Sequence, residues 1–96
     1  MSYKIIVSPR AQNEIEDSID FYYQRSRVSA ENFISAISDA YEIISKNPHF
    51  QIVYKNVHAF RLQKFPFSLF FMIDEKKTLV RVLSCFHTSR NPCELP

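Results

Sequence analysis

Phe67-Ser68-Leu69-Phe70-Phe71-Met72-Ile73, then Asp74-Glu75-Lys76-Lys77, then Thr78-Leu79-Val80-Arg81-Val82-Leu83-Ser84-Cys85-Phe86 is the stretch on which the fold turns. Aromatic and β-branched residues recur with a period of two on either side of a charged four-residue break, which is the pattern of two strands and a turn. So short a connection forces the strands to run antiparallel, because a parallel return needs about a dozen residues or more. Both faces of the first strand are apolar: Phe67, Leu69, Phe71 and Ile73 alternate with Ser68, Phe70 and Met72. One layer of helices covers one face, so Phe70 and Met72 are expected on an open side, and exposed apolar patches of that kind mark partner sites.

Working toward the N-terminus, a third strand is predicted over Val57–Gln63, joined to the first by Lys64-Phe65-Pro66. Before Pro48 the period changes to that of a helix. Ala30, Phe33, Ile34, Ile37, Ala40, Tyr41 and Ile44 repeat at three to four residues, with Ser29 as the expected cap and Lys46-Asn47-Pro48 as the stop. An earlier helix carries Ala11, Ile15, Ile19 and Tyr22 on one stripe, with Gln12, Glu14, Glu16, Asp17 and Asp20 elsewhere around it. Ser8 suits its cap and Pro9 its first position, and Gln24–Val28 breaks the pattern between the two helices. A strand over Tyr3–Val7 comes first. The expected fold is therefore α+β in the order β-α-α-β-β-β, two N-terminal helices on one face of an antiparallel sheet, in one domain over residues 1–96.

Hydrophobic residues make up 46% and charged residues 23%, so the chain has the composition of a globular protein and not of a disordered one. No run approaches the ~20 apolar residues that span a bilayer. The N-terminus shows no signal peptide, so a cytoplasmic location without membrane contact is expected. Cys85 and Cys93 then read as free thiols, and no Cys/His cluster with metal-ligand spacing appears, so neither metal nor cofactor is implied. Glycine is absent, which excludes phosphate-binding glycine loops and the G-x-S-x-G elbow. Left-handed positions are expected at Asn47, Asn56 and Asn91 instead. Net charge is only +2, but Lys55, Arg61, Lys64, Lys76, Lys77, Arg81 and Arg90 face only Asp74 and Glu75 in that stretch. A basic sheet of this kind attracts phosphate or an acidic partner.

Several segments resemble the RelE/ParE superfamily of bacterial toxins from type II toxin–antitoxin modules. They are Tyr3-Lys4-Ile5-Ile6-Val7-Ser8-Pro9-Arg10-Ala11, Ala30-Glu31-Asn32-Phe33, Asn47-Pro48, Phe60-Arg61-Leu62, Phe65-Pro66-Phe67-Ser68-Leu69-Phe70-Phe71 and Phe86-His87-Thr88-Ser89-Arg90-Asn91-Pro92. Phe65-Pro66-Phe67-Ser68 and His87-x-x-Arg90-x-Pro92 look more like the ParE branch than the RelE branch. The resemblance implies a growth-inhibiting toxin held by a cognate antitoxin. The ParE branch is associated with poisoning DNA gyrase, the RelE branch with cutting mRNA on the ribosome.

Metal-free RNA cleavage needs a base for the 2′-hydroxyl, an acid for the leaving oxygen, and cations for the charged transition state. Arg61 and Arg81 could hold phosphate, Lys55 and Lys64 could add positive field, and His87 or His58 could move protons. RelE-type enzymes resemble this but often use a C-terminal Tyr, whereas no Tyr follows Tyr54, which leaves His87 in that role. The catalytic set of a nuclease would thus be Arg61, Arg81 and His87. The target-binding set of a non-enzymatic toxin would be Arg61, Lys64, Arg81, His87 and Arg90. Phe70, Met72 and Arg81 are expected to take the antitoxin or a second copy of the chain.

Each candidate also has a plain structural reading. Arg61 can simply alternate outward, Arg81 within an apolar strand needs either a buried ion pair or an open face, and His87 can either sit in a loop or lock the tail. His49 and His58 read as surface residues near loops, and Phe67, Phe70, Phe71 and Phe86 read as core filling. Three functions stay open on the sequence: a gyrase-directed toxin, a ribosome-dependent ribonuclease, and a non-toxic relative that binds an antitoxin.

Overall fold

The structure, a computed structural model, describes residues 2–49 and 52–87. Strand β1 (Lys4–Val7) passes through Ser8 into helix α1 (Pro9–Arg25). The Ser8 hydroxyl accepts the Ala11 N–H at 3.1 Å, and Pro9 stands where a missing N–H costs nothing. Helix α2 (Arg27–Lys46) begins after a single intervening residue. Ser26 serves both helix ends, since its N–H donates to the Tyr22 carbonyl while its hydroxyl accepts the Ser29 N–H. The expected cap, Ser29, thus lies inside α2. An extended Ser26 (φ −164°, ψ 126°) turns the chain in one residue, so the five-residue break expected there is not needed.

Strands β2 (Ile52–Tyr54), β3 (Val57–Arg61), β4 (Phe67–Asp74) and β5 (Leu79–His87) follow, and the sheet order is β1-β5-β4-β3-β2. The order of elements is the expected one with β2 added, a three-residue edge strand too short to show a period. The pairings β2–β3, β3–β4 and β4–β5 are antiparallel. β1 instead lies parallel to β5, from Lys4 opposite Leu79 to Val7 opposite Val82, so the sheet is mixed and not purely antiparallel. The two helices and the meander between β1 and β5 supply the long return that a parallel pair requires.

Left-handed backbone falls on Lys55 (φ 49°) and Thr78 (φ 51°) and not on Asn47 or Asn56, while Asn91 lies outside the described residues. Asn47 has a negative φ (φ −152°, ψ 89°) and closes α2 by donating its N–H to the Ile43 carbonyl. At Thr78 the sheet overrides local preference: its carbonyl accepts the Lys4 N–H at 2.9 Å, which joins β1 to the end of the β4–β5 turn.

The core lies between the helices and one face of the sheet. Ala11 and Ile15 of α1 and Phe33, Ile37, Ala40 and Ile44 of α2 are buried against Leu69, Phe71, Val80, Val82 and Cys85. Ile34, which fits the helical template, points away and is 42% exposed. Phe33 is the aromatic hub, with the rings of Tyr22, Phe65 and Phe67 5.2–5.3 Å from its own. Among the described residues no helix is long and apolar enough to cross a membrane.

Two substitutions test this layer. Phe71→Ala empties a fully buried site and is expected to lower unfolding free energy by about 3–5 kcal/mol. Ser26→Ala should cost about 1 kcal/mol through the lost cap. Urea unfolding followed by circular dichroism reads both, and losses under about 1 kcal/mol for Phe71→Ala would contradict the packing described.

Candidate functional site

A single register shift decides which side chains share a face. Met72 pairs with Arg81 and Phe71 with Val82, but Phe70 pairs with Ser84 and Leu69 with Cys85, so Leu83 is an extra residue on β5. Alternation alone would put Arg81 and His87, six residues apart, on one side. The bulge reverses the alternation, so that Val80 and Val82 and then Cys85 and His87 face the helices.

The other face of the sheet carries no helix. Register and alternation place Lys4 and Ile6 of β1, Arg81 and Phe86 of β5, Phe70 and Met72 of β4, and Arg61 of β3 on it. Arg61 and Arg81 are exposed and have no ion pair among the described residues. Arg81 therefore stands on an open face and not in a buried ion pair. Phe70 and Phe86 stack with centroids 5.7 Å apart and planes 16° from parallel, both half-buried, while Met72 and Ile6 are 38% and 39% exposed. Phe67 and Phe71 are core, as expected, whereas Phe70 and Phe86 form an aromatic platform on the open side. A shallow hollow of about 520 Å³ at the hairpin end of this face is lined by Met72, Ile73, Asp74, Glu75, Lys76, Leu79 and Arg81.

His87 is the last residue of β5 and not a loop residue. It pairs with Phe67, whose ring it meets edge-on at 4.8 Å, and it lines a cleft of about 270 Å³ with Asp17, Ser18, Phe21, Tyr22 and Phe67. Its Nδ1 is buried and lacks a hydrogen-bond partner among the described residues. The structure thus brings Arg61 and Arg81 to one face and sets His87 on the other. Lys64 is exposed in the β3–β4 connection, and Arg90 lies outside the described residues, as does Cys93.

His58, read as a surface residue near a loop, is half-buried in β3 opposite Phe71 and stacks on that buried ring at 5.5 Å, 15° from parallel. His49 is exposed but bonded, with Nε2 2.8 Å from Glu75, which also accepts the Tyr3 hydroxyl. Those two bonds hold the Glu75 carboxyl below its usual range, the Tyr3 bond first. The cluster ties β1, the end of α2 and the β4–β5 turn together at the rim of the hairpin hollow.

Glu14 was invisible as a positioned residue in the sequence, where it is one of four α1 acids. Its carboxylate accepts both the Ser84 hydroxyl at 2.9 Å and the Cys85 N–H at 3.1 Å, beyond the point where β1 ends and β5 would otherwise show a bare edge. Burial, with Glu14 adding to it, pushes the Cys85 thiol up to about 12. Burial, and after it Cys85, likewise pushes the Tyr41 hydroxyl up to about 12. Among the described residues no three His, Cys, Asp or Glu side chains gather as a metal site would require.

Two helices covering one side of the sheet, in the β-α-α-β-β-β order with β2 added, make an α+β fold consistent with a RelE/ParE-like one. Residues 5–92 match the family profile described as ParE toxin of type II toxin-antitoxin system, parDE, and the chain belongs to that family. A search of curated proteins finds no match. Family membership implies an antitoxin as partner.

Cys85 and Tyr41 make the chain sensitive to alkali. Both groups titrate higher in the folded state than in the unfolded one, near 9 for the thiol and 10 for the phenol. Their contribution to stability is complete below about 9 and is lost as pH rises toward 12. Unfolding free energy should fall across that window, and less steeply in Cys85→Ala. In a Cys93→Ser background, Ellman's reagent at pH 8 should reach Cys85 only as fast as the chain opens, and immediate labelling of the native protein would contradict the burial.

Proposed function

We propose that this ParE-family chain is the toxin of a type II toxin–antitoxin module and that it arrests growth by binding a macromolecule through the open face of its sheet. DNA gyrase is the first target on this reading, which places the protein in the cytoplasm, and the cognate antitoxin neutralises it by covering Phe70, Met72 and Arg81. Arg61 and Arg81, with Lys64 and Arg90, supply the positive field. The observation that carries the reading is the separation of Arg61 and Arg81 from His87 by the thickness of the sheet. RNA cleavage needs a proton-transfer group and cations around one phosphate, and here the candidate groups stand on opposite faces. A binding toxin needs only the broad cationic and aromatic surface, whose stacked Phe70–Phe86 pair and exposed Met72 fit a protein partner.

Induced expression should stop growth, and the purified chain should inhibit supercoiling by gyrase. Arg61→Ala combined with Arg81→Ala should weaken that inhibition at least about tenfold, since each charged contact is worth roughly 1.5–3 kcal/mol. Translating ribosomes mixed with the chain should keep their mRNA intact. Cut mRNA that depends on Arg61, Arg81 or His87 would replace this reading with the ribonuclease one. Unchanged growth with antitoxin still recovered in pull-downs would leave only a non-toxic relative.

A further inference from the structure

The bulge at Leu83 decides which side chains of β5 reach the open face, and side-chain burial does not select it. A regular ladder continued from Phe71 opposite Val82 would set Leu83 opposite Phe70, Ser84 opposite Leu69, Cys85 opposite Ser68 and Phe86 opposite Phe67, one residue off the pairs that form. Ser84 and Phe86 would then turn toward the helices in place of Cys85 and His87. Phenylalanine would replace histidine inside and serine would replace cysteine, so hydrophobic burial alone does not favour the register observed. That register even leaves His87 Nδ1 buried without a partner among the described residues. A bulge also breaks the ladder locally, so another interaction must hold the chain there.

Backbone direction identifies that interaction. Val82 turns its carbonyl to the Ser8 N–H at 2.9 Å, and Cys85, three residues on, turns its N–H to Glu14 on the same edge. In a regular strand, residues an odd number apart send their backbone groups to opposite edges, so both bonds exist together only with the bulge. Glu14 Oε1 accepts the Cys85 N–H at 3.1 Å and the Ser84 hydroxyl at 2.9 Å, while Oε2 lies 3.6 Å from Arg10. Hydrogen bonds to a carboxylate are roughly twice as strong as neutral ones. Ala11 and Ile15, buried on either side of Glu14 in α1, fix where that carboxylate stands. A neutral bond, from the Ser8 hydroxyl to the Leu83 carbonyl at 3.1 Å, assists it. We propose that Glu14 is the positioning residue that sets the register of β5 beyond Leu83, and that from the helix side it thereby places Phe86 beside Phe70 on the open face. Its effect on target binding rests on the gyrase reading; its effect on register does not.

The test uses the full chain in a Cys93→Ser background, where Ellman's reagent reads the exposure of Cys85 and NOEs between aromatic rings read the register. Glu14→Ala should keep its helical circular dichroism, label Cys85 at least about tenfold faster, and exchange the Phe86–Phe70 NOEs for Phe86–Phe67 ones. Glu14→Gln, whose amide oxygen accepts both bonds, should stay within about threefold of the parent, and so should Arg10→Ala, which removes only the ion pair. Deleting Leu83 removes the extra residue, and a regular ladder then gives the native facing. The deletion combined with Glu14→Ala should therefore restore slow labelling, the Phe86–Phe70 NOEs and the parent's effect on gyrase. Parent labelling and Phe86–Phe70 NOEs in Glu14→Ala overturn the proposal. So does fast labelling in the combined variant, which would make Glu14 a plug of the strand edge and not a setter of register. Should Glu14→Ala fail to fold, the Leu83 deletion is expected to restore folding, and a combined variant that stays unfolded overturns the proposal as well. The labelling and NOE results decide it whether or not the parent inhibits gyrase.

Discussion

The ladder between β4 and β5 is the constraint on which the remaining structure depends. Its eight pairs run from Phe67 opposite His87 to Asp74 opposite Leu79, and β5 also carries β1 on its other side. Phe71 and Val82 face each other across it and are both fully buried beneath the helices. Because side chains alternate with a period of two, a slip of one residue anywhere along the ladder exchanges the faces of everything beyond it. The bulge at Leu83 is such a slip, built in at one point. Upstream of it Arg81 points outward, and downstream Cys85 and His87 turn in. Glu14 and Ser8 fasten the bulged stretch from the helix side, Glu14 through Ser84 and Cys85 and Ser8 through the Leu83 carbonyl.

This arrangement gives one small chain two surfaces of opposite character. The bare face of the sheet gathers Lys4, Arg61 and Arg81 around apolar Ile6, Phe70, Met72 and Phe86. The outer side of α1 is acidic, with Glu16, Asp17 and Asp20 exposed. A partner selected by charge therefore approaches from a defined side, and the two sides need not compete.

Much of this was legible along the chain. The α1 stripe of Ala11, Ile15, Ile19 and Tyr22 and the α2 stripe from Ala30 to Ile44, apart from Ile34, pack as their spacing required, because a 3.6-residue period is a local property that tertiary contacts only select. The openness of Met72 followed from counting faces against helical layers, whereas Arg81 was left between a buried ion pair and an open face until the register placed it. Other features were not legible for a physical reason. Ser26 replaced Ser29 as cap because a serine can close one helix and open the next, which depends on how tightly the two helices reverse. Lys55 and Thr78 took left-handed backbone in place of asparagines because strand pairing on both sides fixed their dihedrals. His58 stacks on Phe71 because of a cross-strand register that no local window contains.

Read alone, the order of residues was enough to indicate both helices, every strand but β2, the α+β class and the family, since these rest on periodicity and on motifs spread along the chain. It was also enough to say that one sheet face stays uncovered. Only the folded molecule decided that β1 joins β5 in parallel, that Glu14 covers the exposed edge of β5, and that Arg81 and His87 part company. The cause is one unpaired residue, Leu83, which carries no glycine or proline to announce it: a bulge is a property of two strands in register, and neither strand holds that information by itself.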